Sequence, residues 1–213
     1  MKKRIFLFSL IPLLFVNGPL LAGQIDPCNS TASISCAAMR ISICPLGDFE
    51  LFDAVCGASG DHIKIVIRDA MNNPVPGIPR TDYWLGACDP TYDLCLCCQP
   101  IIADAITDIS GTAYICGTIS GGGCVLNSGI YITVQGQTIM DQPTCISPTC
   151  LNIVIVSPDM TADCVINLSD LGVFAASYGS CPATDPCADF NDDNCVNLSD
   201  LALFAGHYMH ECR

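Results

Sequence analysis

Two stretches near the end of the chain, "DMTADCVINLSDLGVFAASYG" from residue 159 and "DFNDDNCVNLSDLALFAGHYM" from residue 189, repeat one another at an interval of 30 residues. Each sets an acid or an oxygen-bearing polar residue at alternate positions and then runs into an apolar stretch. Carboxylates placed this closely repel one another unless a cation holds them together. Hard cations such as calcium take about six to eight oxygens, and a loop of about 12 residues supplies them from positions 1, 3, 5, 7, 9 and 12. In the second stretch those positions are Asp189, Asn191, Asp193, the carbonyl of Cys195, Asn197 and Asp200. In the first they are Asp159, Thr161, Asp163, the carbonyl of Val165, Asn167 and Asp170. The pattern predicts two Ca2+ sites. The second is expected to bind more tightly, because Thr161 is a poorer ligand than Asn191 and Asn194 enters a left-handed turn more readily than Cys164.

Each loop runs directly into a predicted helix. Asn167 and Asn197 are suited to cap it, and Asp170 and Asp200, three residues later, fall in the first turn near the positive end of the helix dipole. Leu171, Phe174, Ala175 and Tyr178, like Leu201, Phe204, Ala205 and Tyr208, recur at the spacing of one helical face. Neither stripe is stable in water alone, so the two units are expected to pack face to face.

Tandem calcium loops, each followed by one helix and lacking the preceding helix of a full EF-hand, resemble a type I dockerin module, here over residues 157–213. The resemblance implies two calcium ions and docking to a cohesin-like domain on a scaffold or cell surface. Its recognition positions carry over to Leu168 and Ser169 in the first repeat and to Leu198 and Ser199 in the second. Their identity implies binding in either of two orientations related by a pseudo-twofold axis. The spacer "SCPATDPCA", the cysteines inside both loops and the absence of loop glycines depart from the family pattern.

The N-terminus, "MKKRIFLFSLIPLLFVNGPLLAG", has a basic start, an apolar core and small residues at its end, and reads as a secretory signal peptide over residues 1–23. No later segment is long and apolar enough to span a membrane. Loss of Lys2, Lys3 and Arg4 with the leader leaves five basic residues against 21 acidic ones, a formal charge of about −16. That balance argues against nucleic-acid binding and for solubility or cation binding. All 17 cysteines lie outside the leader, and in an exported chain they imply a disulfide framework. Local pairing candidates are Cys116 with Cys124, Cys145 with Cys150, and Cys181 with Cys187. The odd count leaves one thiol free or paired with a second chain. "CLCC", with Cys95, Cys97 and Cys98, offers thiols to zinc, but lacks a matching pair at regular spacing, and export favours oxidation.

Between leader and repeats, short alternating runs dominate. "RISIC", "FELFDAV", "HIKIVIRD", "RTDYWLGA", "GTAYICG", "GIYITVQGQTI" and "LNIVIVS" read as about seven strands separated by turns, with "SGGGC" a glycine-rich turn. The expected fold is mostly β with a small α module at the C-terminus: a disulfide-rich β-sandwich over residues 24–156, then the loop–helix pair. "DAMNNPVPG" followed by "TDISGTAYICG" resembles the paired turns of bacterial Ig-like domains of the invasin type, which implies a spacer or adhesive role. No nucleophile elbow, zincin motif or phosphate loop is present; His62 reads as a strand-end residue, and His207 and His210, three apart, are placed either to share a metal or to partner the negative end of the last helix, the second being the reading taken. A non-catalytic, secreted docking protein is the function expected. Carbohydrate binding through Tyr83, Trp84 and Tyr92 is an alternative, with Trp84 read first as a core residue of the sandwich. A self-assembling structural subunit crosslinked by the odd cysteine is another.

Overall fold

A computed structural model describes residues 23–35, 39–49, 62–97, 103–116 and 119–212. The leader, apart from Gly23, and the strand expected across 49–55, apart from Phe49, lie outside these residues. The described chain is mostly β with two ten-residue helices. Its strands are β1 (Thr31–Ile34), β2 (Met39–Ser42), β3 (Ile63–Val66), β4 (Tyr83–Ala87), β5 (Leu94–Leu96), β6 (Thr112–Ile115), β7 (Gly121–Gly123), β8 (Ile130–Val134), β9 (Gln137–Thr138) and β10 (Ile153–Val156). The helices are α1 (Leu168–Ser177) and α2 (Leu198–His207), with a short 3-10 turn at Pro186–Ala188 between them.

Among the described residues the strands form four small sheets, ordered β1-β3-β6, β4-β8-β9, β5-β7 and β10-β2, the last of them parallel. Alternation sets their facing. On β3, Ile63 and Ile65 are buried while Lys64 is exposed. They join Ile41, Ile115, Ile130, Ile132, Ile153 and Ile155 in one core whose branched side chains suit a pleated surface. The turns quoted from 69–77 and 107–111 pack on one another: Thr107 Oγ1 donates to the Val75 carbonyl, and Ile67 N donates to the Gly111 carbonyl.

Four features differ from expectation. Trp84 is 40% exposed, because the alternation of β4 turns Tyr83 and Leu85 inward and Trp84 outward; Tyr83 is the buried aromatic. "GIYITVQGQTI" is a hairpin and not one strand, turned at Gln135 and Gly136, both with positive φ, 49° and 78°, as a two-residue type I′ turn demands. "SGGGC" contains strand β7, paired with Leu94–Leu96, a segment the cysteine pattern had obscured. The pairing candidates are also replaced. Cys145 bonds Cys28, Cys150 bonds Cys88, Cys181 bonds Cys195 and Cys187 bonds Cys124. Near neighbours in sequence lost to partners that the fold brings together. Cys95 and Cys97 are likewise consumed, by Cys164 and Cys212, which removes two thiols of the "CLCC" cluster from zinc.

Three of these bonds, Cys95–Cys164, Cys97–Cys212 and Cys124–Cys187, join the β-body to the C-terminal repeats. They close separations of 69, 115 and 63 residues, each worth about 4–5 kcal/mol if loop entropy alone acts. A second core crosses the same boundary: Cys44, Phe49 and Val156 from the body meet Ile166, Phe174, Phe190, Val196 and Phe204. The two repeats do pack face to face, with Phe174 stacked on Phe204 and on Phe190 at centroid distances of 5.9 and 5.8 Å. The buried stripe is narrower than expected. Leu171 and Leu201 are half-buried, but Ala175, Ala205, Tyr178 and Tyr208 are exposed, the tyrosines because they are C-caps where ψ turns to 132° and 135° and helical periodicity ends. Phe174→Ala is expected to lower stability by about 3–5 kcal/mol, read as a drop in the urea midpoint with disulfides intact.

Candidate metal centres

The two loops fold alike. Asp159 and Asp189 open them, buried, and each carboxylate accepts two amides of its own loop: Asp163 N and Cys164 N in the first, Asp193 N and Asn194 N in the second. That wrap needs left-handed backbone at positions 4 and 6. Ala162 and Cys164 have φ of 55° and 69°, and Asp192 and Asn194 have 60° and 65°. Cys164 thus adopts the same turn as Asn194, held in place by its bond to Cys95.

Asp170 and Asp200 close the loops and are completely buried. Asp170 Oδ1 accepts Thr161 N and Thr161 Oγ1, while its Oδ2 accepts Asn167 N at 2.8 Å. Asp200 repeats this with Phe190 N, Asn191 N and Asn197 N. The caps form as read from the sequence: Asn167 and Asn197 side chains accept Ser169 N and Ser199 N, completing reciprocal capping boxes. The Oδ1 atoms of these two asparagines are thereby committed to the helices. Asn167 Nδ2 also donates to the Val165 carbonyl, and Asn191 and Asn197 both donate to Asp193.

In each loop three carboxylates converge, Asp159 with Asp163 and Asp170, and Asp189 with Asp193 and Asp200, the oxygens of each trio within 4.8 Å of one another. Burial, then the charge of Asp170, pushes the Asp159 carboxyl up to about 6. Burial also raises Asp189. Asp193, exposed and hydrogen-bonded by Asn191, is lowered. An oxygen-only set of acids, amides, a threonine and carbonyls matches a hard divalent cation in its chemistry.

The duplication extends to the backbone. After α1, Gly179 N donates to the Val196 carbonyl and Val196 N to the Ser180 carbonyl; after α2, Met209 N donates to the Ile166 carbonyl and Ile166 N to the His210 carbonyl. Each unit thus pairs its tail with the other's loop about a pseudo-twofold axis. Leu168 and Leu198, at equivalent sites on the opening turns, are 70% and 69% exposed, and Ser169 and Ser199 beside them are exposed too.

Residues from the β-body buttress both loops, and no local pattern marks them. Gly123 N donates to the Asp159 carbonyl, and Gly122 lies so close to the Asp159 carboxylate that a Cβ there has no room. On the other side Arg40 donates to the carbonyl of Asp189 and its Nε lies 3.4 Å from Asp192.

No family model matches the chain, and no curated protein matches it. Among solved structures, a chain from an N-terminal interface mutant of a type II cohesin–X-dockerin complex of Acetivibrio cellulolyticus is similar at 21% identity. The likeness covers 62% of this chain and 83% of that one, at a TM-score of 0.26, too low to place the two in one fold. No helix among the described residues is long and apolar enough to cross a membrane.

Gly122→Ala is expected to displace Asp159 and weaken cation binding in the first loop while sparing the second. Calorimetric titration of the variant with calcium reads the difference.

Proposed function

We propose that this chain is a secreted, non-catalytic docking protein, whose C-terminal pair of loop–helix units binds two Ca2+ ions and engages a cohesin-like domain. An Ig-like β-body serves as its spacer or adhesive surface. The observation that carries this reading is the pairing of two three-carboxylate clusters, each with two buried acids and one exposed, with two capped helices that display Leu168 and Leu198 at equivalent exposed sites. In the first loop Asp159, Asp163 and Asp170 hold the ion with Thr161 and the Val165 carbonyl, and in the second Asp189, Asp193 and Asp200 do so with Asn191 and the Cys195 carbonyl; Asn167 and Asn197, whose Oδ1 atoms cap the helices, reach it through a water. Bound Ca2+ supplies the positive charge that three clustered carboxylates lack. Asp170 and Asp200 then keep their loops registered to the helix starts, and the leucine–serine pairs are presented at fixed spacing. The second loop is the tighter site, Asn191 being a better donor than Thr161.

Calorimetry of the whole chain is expected to show two calcium-binding events, one lost in Asp163→Ala and the other in Asp193→Ala. With a type I cohesin domain as probe, Leu168→Ala and Leu198→Ala singly leave binding nearly unchanged, since either unit can lead. The double variant weakens it by about 30-fold or more, the loss of about 2 kcal/mol that a central apolar anchor carries. Retention of one event in neither variant, or equal loss in single and double leucine variants, contradicts the reading.

One observation favours a second activity of the body. Trp84 faces outward on β4, and two residues along the same strand the ring of Tyr131 lies over Gly86. A flat aromatic face of this kind stacks on sugar rings. Polysaccharide binding is therefore proposed as the alternative, with loss of sedimentation on insoluble polysaccharide expected in Trp84→Ala.

A further inference from the structure

The end of α2 returns to the segment that follows β2. His207, in the last helical turn, stacks on Phe49 with ring centroids 4.5 Å apart and planes 13° apart. Its Nδ1 is 3.4 Å from Nδ1 of His210, and the two nitrogens lie 3.6 and 3.4 Å from the same oxygen, Asp48 Oδ1. Cys44 Sγ stands 2.8 Å from that oxygen. One donor atom from each of the four residues is thus within 4.8 Å of every other. Among the described residues Cys44 is outside the disulfides, and it is completely buried. The helix dipole, the role read for the histidines from the sequence, does not account for a thiol and a carboxylate converging on them.

We propose that Cys44, Asp48, His207 and His210 form a zinc-class metal site, separate from the calcium loops, that fastens the end of α2 to the β-body. One sulfur, two imidazole nitrogens and one carboxylate oxygen are a borderline-soft donor set, unlike the all-oxygen loops. Tetrahedral bonds of about 2.0–2.3 Å imply donor–donor edges of about 3.3–3.8 Å, and the three separations among Asp48, His207 and His210 fall in that range. The shorter Cys44–Asp48 contact is a thiol–carboxylate hydrogen bond, which opens when the thiol loses its proton. Burial, then that hydrogen bond, pushes the Cys44 thiol up to about 11, so the metal-free group stays protonated. Binding forms the metal–sulfur bond and releases that one proton to solvent. Phe49 fixes the His207 ring and keeps water from one side, as the surroundings of structural sites do. Asp48, whose side chain is 53% exposed, marks the edge by which an ion enters.

The test is a Co2+ titration of the whole chain in saturating Ca2+, followed by Zn2+ displacement. Expected are one cobalt per chain, tetrahedral visible bands with a thiolate-to-cobalt charge-transfer band, and complete displacement by one equivalent of zinc. Cys44→Ser abolishes the charge-transfer band. His210→Ala weakens zinc binding by more than about 100-fold, since even an outer partner is worth about 10–100-fold. Asp163→Ala and Asp193→Ala leave the cobalt spectrum unchanged, which separates this site from the calcium reading. Asp48→Asn, which keeps the shape of the side chain, replaces His210→Ala if that variant loses its near-ultraviolet dichroism, and is expected to weaken zinc binding as well. No charge-transfer band, a band that survives in Cys44→Ser, or cobalt binding lost with the loop acids overturns the proposal.

Discussion

Two buried carboxylates, Asp170 and Asp200, tie each C-terminal loop to the helix that follows it. Each accepts amides from the start of its loop and from the cap of the helix that follows, so loop closure and helix initiation share one side chain. Charge-assisted hydrogen bonds of this kind are strong, but a buried negative charge beside two others is costly without a counter-charge. The charge of Asp170 adds to burial in raising Asp159, whereas Arg40 lowers Asp189 in opposition to its burial. On the proposed reading a divalent cation completes each loop and steadies the helix start that follows it.

The β-body is more than a spacer in mechanical terms. Three disulfides, a shared aromatic and aliphatic core, the glycine strand against Asp159 and Arg40 against the second loop place the body directly behind both loops. Leu168 and Leu198 remain exposed on the opening turns of the helices. In the proposed docking role, joining two short helices to the body would keep Leu168 and Leu198 at one spacing before a partner arrives, which lowers the ordering cost of binding.

The loops, their caps and the helices were legible because each rests on residues close in sequence: alternate oxygens, an asparagine three before an aspartate, an apolar residue every third or fourth position. The strands with regular alternation, such as β3 and β10, were legible for the same reason. β7 was not, because three glycines carry no side-chain pattern, and only their fit against Asp93, Cys95 and Asp159 explains why no larger residue is there. The disulfide partners and the meeting of Cys44 and Asp48 with His207 and His210 depend on how distant segments dock, which local pattern does not encode. Trp84 illustrates a narrower limit: alternation was visible on β4, but which of two adjacent aromatics faces inward is set by register with β8.

Amide hydrogen exchange with and without calcium asks whether cation binding in the loops and order at the helix starts are one event. Removing calcium is expected to speed exchange at Thr161, Asn167, Asn191 and Asn197 together with the first turns of both helices, while Ile65 and Ile132 in the β-core stay protected. Loop and helix amides that exchange at the same rate in both conditions would contradict it, and would leave the acids as turn formers.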